Sequence, residues 1–237
     1  MSEWKAKRFW EQAHAEAVDD AWTVRLDARL VKTPAKAALT LPTKSLALAI
    51  AAEWDAQEDV IDPSSMPFTR MANSAIDKVR VQRSEVADML ADYGDADLLC
   101  YRAHAPAELV ERQARIWDPY LEWGAQTLGA RLYPRSGLMH ESQDTDALAR
   151  LSQHTHALTT FELAAFHDLV SLTGSLVLGF AAARHQGDPN DIWSASRLDE
   201  IWQEEQWGLD EEAQDLAKIK HAAFLHASYF FDATSGT

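Results

Sequence analysis

Cysteine is nearly absent: the 237-residue chain has one, Cys100. That excludes an internal disulfide framework and a multi-cysteine zinc site, and it fits a reducing compartment. Glycine is scarce and badly placed for nucleotide chemistry. There are nine glycines and none are spaced Gly-x-Gly, so the dinucleotide fingerprint is missing. Gly124/Gly129 and Gly174/Gly179 have the outer spacing of a phosphate loop. They are followed by Ala130-Arg131 and Phe180-Ala181, where Lys and Ser/Thr are needed to reach phosphate and magnesium. No Gly-x-Ser-x-Gly elbow occurs. Bases are outnumbered, 22 against 37 acids, for a formal net charge of −15. This argues against DNA, RNA or an anionic membrane surface as main partner and leaves a basic patch on a protein open. Long apolar runs are missing too. The greasiest stretch, Leu176 to Ala183, is far short of the roughly 20 residues that span a bilayer. Met1 to Trp10 carries charges and two tryptophans but no apolar signal-peptide core. The expectation is a soluble, intracellular protein.

What is present is 47% hydrophobic residues, ample for one large or two small cores. After a charged lead-in, Trp22, Val24 and Leu26 alternate with Thr23 and Arg25, the period of a half-buried strand. Asp27-Ala28 sits at a hairpin turn, with Leu30 to Thr33 as the returning strand. Leu39 and Leu41 form another short alternation closed by Pro42. Thr43 then caps a helix to about Gln57 whose Leu46-Ile50-Trp54 stripe covers a small sheet. Asp62-Pro63 and Met66-Pro67 break regular structure, and the domain boundary is placed here.

The remainder reads as helices. One runs from about Phe68 to Tyr93 with Gly94 as its C′ residue. A second covers Ala107 to Trp117, after which Asp118-Pro119 starts or kinks a further helix to about Leu128. Tyr133-Pro134 and Gly137 mark a loop. Helices follow at Thr145 to Leu158 and Thr160 to Arg184, the latter introduced by a Thr159/Glu162 capping box or by Thr160 itself. Gly187, Asp188 and Pro189 end it, and Gly208 separates the last two, Asp191 to Trp207 and Glu211 to Phe231. The fold class is therefore α+β: a small mixed α/β N-terminal domain (1–68, short antiparallel strands and one covering helix) followed by an all-helical C-terminal bundle (69–237).

Metal and nucleophile signals are weak. His154 and His156 are two apart and point to different helix faces, while His167-Asp168 and His140-Glu141 lack helical zinc spacing. Cys100 lies in the apolar run Leu98 to Tyr101 and reads as a small core residue. The acids, by contrast, are concentrated. From Asp199 to Asp215 there are eight and no base. Two readings stand: a solvated helix face with acids at a helix start, or a docking surface for lysines and arginines of a partner. Trp193, Trp202 and Trp207 accompany them, as core residues or as interface anchors.

Several ordered phrases resemble a known family: Arg8-Phe9-Trp10, Val31-Lys32-Thr33-Pro34, Leu41-Pro42-Thr43, Glu53-Trp54-Asp55-Ala56-Gln57, Asp62-Pro63, Met66-Pro67-Phe68-Thr69, Ala72-Asn73 and Ala75-Ile76-Asp77. Later come Tyr101-Arg102, Gln113, Trp117-Asp118-Pro119, Ser196-Arg197-Leu198-Asp199-Glu200, Gln203 and Trp207-Gly208. Together they are similar to the assembly chaperone attending the alpha subunit of the F-type ATP synthase (the ATP-twelve family, also called assembly factor two). The resemblance implies binding to the unassembled alpha subunit until beta subunits displace the chaperone. It implies no chemistry. The expectations set beside it are no cofactor or metal, no nucleic-acid or membrane partner, a free chain that is monomeric, and a cytoplasmic bacterial relative of a mitochondrial matrix family. Glu200, Gln203, Trp207 and Asp199 are the contact candidates, Glu200 as an anionic partner for a client arginine. Trp54 is a further candidate, although its stripe favours the core. Two rivals stand beside this: a small-molecule-binding enzyme or sensor using a pocket in the bundle, and an adaptor for an unrelated client.

Overall fold

The computed structural model describes residues 7–136 and 141–235; Gly137, His140 and the start of the lead-in lie outside them. The chain divides into two compact units. The first holds the chain through Arg83, Thr159–Ala165 and the end from Tyr229; the second holds Ser84–Leu158 and Phe166–Ser228.

In the first unit, strands β1 (Ala13–Val18), β2 (Ala21–Leu26) and β3 (Arg29–Leu30) form an antiparallel sheet in that order. The register pairs Val18 with Ala21 and Leu26 with Arg29. Each turn is thus two residues, Asp19-Asp20 and Asp27-Ala28. Asp19 and Asp27 take φ of 50° and 49°, a left-handed conformation that the short polar Asp side chain tolerates. The Asp27 carboxylate is also held by the Glu11 and Gln12 backbone N–H groups. Strand β1 was not expected: its Ala-His-Ala-Glu-Ala-Val carries no large buried residue. The return expected over Leu30 to Thr33 is a strand only at Arg29–Leu30, continued by a Val31 N–H to Val24 carbonyl bond of 3.0 Å. Leu41 exchanges both backbone bonds with Trp22 at 2.7 and 2.9 Å.

Helix α1 (Lys44–Asp55) starts at the Thr43 cap, whose hydroxyl accepts from Leu46 N–H at 3.2 Å and donates to the Ala233 carbonyl. It buries Leu46, Ala47, Ile50 and Ala51 as it packs on β1 and β2. Its C-terminal end is closed by Arg8, which donates to the carbonyls of Asp55 (2.6 Å), Gln57 (2.5 Å), Trp10 (3.0 Å) and Glu11 (2.8 Å). A cation on orphan carbonyls suits a helix C-terminus. Helix α2 (Pro67–Ser74) has no side-chain cap of its own. The Glu53 carboxylate supplies one, accepting from Phe68 N–H (2.6 Å), Thr69 N–H (2.7 Å) and the Thr69 hydroxyl (2.7 Å). Gln57 accepts from Asp62 N–H at 2.7 Å and donates to Ser65, closing the loop between α1 and α2. Asp77 accepts from the Thr33 hydroxyl at 2.6 Å and Ala35 N–H at 3.1 Å.

The long helix expected from Phe68 to Tyr93 is broken. A π turn at Ala75–Val79 follows α2, the chain turns through Arg80–Gln82, and α3 (Arg83–Ala91) begins anew. The apolar residues Ala72, Ile76, Val79, Val86 and Leu90 leave a gap between Val79 and Val86, and Val81 within it is 74% exposed. Gly94 is not a left-handed C′ residue. It lies in a 3₁₀ turn where an added Cβ would stand 3.0 Å from Leu151 Cδ1, so close packing explains it.

In the second unit, α4 (Ala107–Trp123) runs on through Asp118-Pro119 and ends in a π turn at Gly124–Leu128, closed by Gly129 at φ 65°. Asp118 pairs with Arg102 at 2.8 Å. A short parallel ladder joins β4 (Tyr101–Arg102) to β5 (Arg135–Ser136). Helix α5 (Thr145–Ala157) is capped by Asp144. The expected helix over Thr160 to Arg184 is two, α6 (Thr160–Thr173) and α7 (Leu176–Ala183). Gly174, at φ 69°, interrupts it, and the Ser175 hydroxyl caps α7. The Thr159/Glu162 capping box forms, with bonds of 2.7 and 3.3 Å, in the opening turn of α6, which belongs to the first unit, as do the last turns of α10. The final pair is likewise three helices, α8 (Pro189–Ser196), α9 (Leu198–Trp207) and α10 (Glu211–Ser235), with Arg197 at the α8–α9 break. Trp117, Leu151, Phe166, Phe180 and Phe224 are fully buried in this unit. Among the described residues no helix is long and apolar enough to cross a membrane.

Candidate functional site

Glu200, Gln203 and Trp207 follow one another at helical spacings of three and four, which puts them on one face of α9. That face, with the first turns of α10, encloses an open cleft of about 340 Å³ also lined by Arg197, Glu204, Asp210, Leu216 and Lys220. Gly208, at φ 93°, makes the turn between the two helices. The Trp207 indole is 79% exposed. Large rings normally bury that surface. Leu209 (66%), Leu216 (52%) and Ile219 (67%) are exposed close by in the chain.

Asp199 is not part of the cleft. One residue from Glu200, it turns about 100° around the helix and accepts from Gln113 Nε2 of α4 at 2.7 Å. Buried Gln113 spends its carbonyl on Ala103 N–H at 2.9 Å. Trp54 belongs to the first unit, where its ring meets Trp10 edge-on at 5.3 Å and its Nε1 is buried without an acceptor. The structure therefore brings three of the five candidates together and assigns Asp199 to interhelical packing and Trp54 to a partly buried ring pair.

The acidic run is less bare than its sequence. Arg112 of α4 makes two hydrogen bonds to Glu205, at 2.5 and 3.0 Å, which hold the Glu205 carboxyl below its ordinary range. Its guanidinium also lies 5.9 Å over the Trp202 ring. Arg197 reaches Glu200 at 3.0 Å and Glu204 at 3.7 Å, and Lys218 reaches Asp215 at 2.8 Å. Trp117 Nε1 donates to the Ala195 carbonyl at 2.8 Å, fixing the end of α8. Trp193 stacks on His221 at 5.4 Å, seating the middle of α10. Arg112 and Arg197 were missed from sequence. Arg112 is far away in the chain, and no local spacing announces it. Arg197 adjoins the run and could have been read as an i, i+3 partner of Glu200.

Outside the cleft, several of the histidines and the cysteine are absorbed locally. His154 Nε2 is 3.1 Å from the Leu128 carbonyl and His156 Nε2 is 2.8 Å from Asp88. His167 is raised by its hydrogen bond to Asp168. The Cys100 thiol is pushed up to about 12, chiefly by burial and then by Asp97, consistent with a small core residue. The cleft offers carboxylates, an amide, an indole and two cations, which are groups for recognition.

Comparison with known proteins places these features in context. A family profile described as ATP12 chaperone protein matches residues 7–125. The mitochondrial protein atp12 of Schizosaccharomyces pombe is 25% identical over 222 residues, covering 89% of this chain and 76% of that protein. The crystal structure of Atp12 from Paracoccus denitrificans superposes with a TM-score of 0.95 at 47% identity, covering 98% of this chain and 100% of the other. The Atu1473 protein of Agrobacterium tumefaciens gives 0.90 at 36% identity, covering 96% and 85%.

Proposed function

The chain belongs to the ATP12 chaperone protein family, and from that premise we propose that it is an assembly chaperone of the F-type ATP synthase that binds the unassembled alpha subunit of the catalytic head. The observation that carries this reading is the gathering of Glu200, Gln203 and the exposed Trp207 indole in one cleft between α9 and α10. An orphan alpha subunit exposes the surface destined for beta, and exposed interfaces of that size aggregate. A folded binder covers it reversibly and yields to beta by competition. Trp207 is the anchor, an aromatic of the kind that dominates interface energetics. Glu200 is the anionic partner for a client arginine, exchanging its bond to Arg197 for one across the interface.

Co-purification from cell extract tests the client: the alpha subunit is retained and the assembled enzyme is not. Glu200→Lys tests the cleft. Glu200 is exposed and its pair with Arg197 contributes at most about 1 kcal/mol. The melting temperature therefore stays nearly unchanged while binding to the alpha subunit weakens. Parallel loss of folding and binding assigns Glu200 a structural role instead.

A further inference from the structure

Resting on the reading that the client is the free alpha subunit, we infer that the first three turns of α10 extend the contact surface and receive an apolar side chain of the client whose flank toward the α9–α10 turn is basic. Residues 211–220 of α10 contain no buried side chain, whereas Phe224, Ala227 and Phe230 further along are buried. Leu216 and Ile219 are three apart and share a face, and Leu216 lines the cleft together with Trp207. Four large apolar side chains therefore stand in water within thirteen residues, an arrangement that marks an interaction surface.

Charge identifies the occupant. Asp210 is used as the α10 cap, accepting from Ala213 N–H at 3.0 Å, and Asp215 is neutralised by Lys218. Glu211 and Glu212 have no ion-pair partner among the described residues. The unpaired acids of α10 occupy its first turn, next to the α9–α10 turn, while Lys220 comes roughly two and a half turns further along the helix. A client segment with lysine or arginine toward the turn complements this order, and the reverse orientation opposes like charges. A second copy of this chain brings the same carboxylates to the same surface, which disfavours self-association there.

The test is kinetic, with the full chain and isolated alpha subunit. Failure of the unaltered chain to bind overturns the client assignment, and this inference with it. Given binding, Leu216→Ser/Ile219→Ser speeds dissociation about tenfold or more with the association rate little changed. Glu211→Lys/Glu212→Lys slows association at low salt, a difference that fades by about 0.5 M salt. All four positions are solvent-facing, so the serine variant keeps the melting temperature of the unaltered chain. Glu211→Lys/Glu212→Lys lowers it modestly because the first turn of α10 favours acids; rates are therefore read well below either melting temperature. Hydrogen exchange on the unaltered complex is the second measurement: amides of residues 209–220 become protected. Unaltered dissociation by the serine variant, or no protection of that segment, overturns the inference while leaving the client reading intact. A dimer of the free chain that dissolves in the serine variant also overturns it.

Discussion

Burying a carboxylate costs free energy that only donors can offset, and Asp97 shows the balance at a single residue. It is fully buried, accepts from Leu99 and Val177 N–H groups at 3.0 Å each, and ties the segment before β4 to the start of α7. Burial outweighs the donors and lifts its pKa from 3.8 to about 6. A raised acid pKa means that folding favours the protonated form. Its stabilising contribution is complete below about pH 4 and lost as pH rises through about 6. Asp97→Asn should abolish that component: the stability difference from the unaltered chain narrows as pH rises from about 4 to 6, read by denaturant titration. Above about pH 6, where Asp97 is a carboxylate accepting from both N–H groups, the amide cannot accept from both, and the variant remains less stable by about 1–3 kcal/mol. The tryptophans divide just as sharply. Trp117→Ala, at a fully buried ring, should cost about 3–5 kcal/mol. Trp207→Ala should leave the melting temperature alone and weaken client binding.

At the scale of elements, the ordered phrases of the sequence turn out to be joints. Arg8 closes α1, Glu53 opens α2, Gln57 holds the loop between them, and Thr33 meets Asp77. Glu53→Ala should cost about 1–2 kcal/mol and raise hydrogen exchange first in the opening turn of α2, ahead of α1. Strand β2 and the Thr43 and Thr159 caps were legible because each signal is local, a period or a side chain three residues from its acceptor, although the burial does not alternate cleanly: Thr23 is buried and Trp22 only partly so. Breaks inside apolar runs were not. Both sides of Gly174-Ser175 are apolar, so nothing in the period marks where α6 stops and α7 starts. The same limit governs the site. Spacing alone places Glu200, Gln203 and Trp207 together and turns Asp199 aside. An exposed pair such as Leu216 and Ile219, however, has the same spacing as a buried one, and only the packed structure separates them.

For the whole molecule, the formal charge of −15 sets two salt effects of opposite sign. Screening relieves self-repulsion in the compact state, so the melting temperature should rise as salt goes from about 10 to 150 mM. The same screening should slow association with a basic client surface, read as a falling on-rate. Unchanged stability and on-rate together would deny the acids any collective role. The first unit carries a different consequence. Its sheet and α1 come from the beginning of the chain, yet Phe230 and Phe231 of its core, and the carbonyl that takes the Thr43 hydroxyl, come from the last turns of α10. On the ribosome, roughly ten to thirty-five seconds separate the synthesis of those two parts at ordinary elongation rates. The early strands must wait, half assembled, until the end of α10 has been made, so a member of a chaperone family spends its own infancy with a core left open.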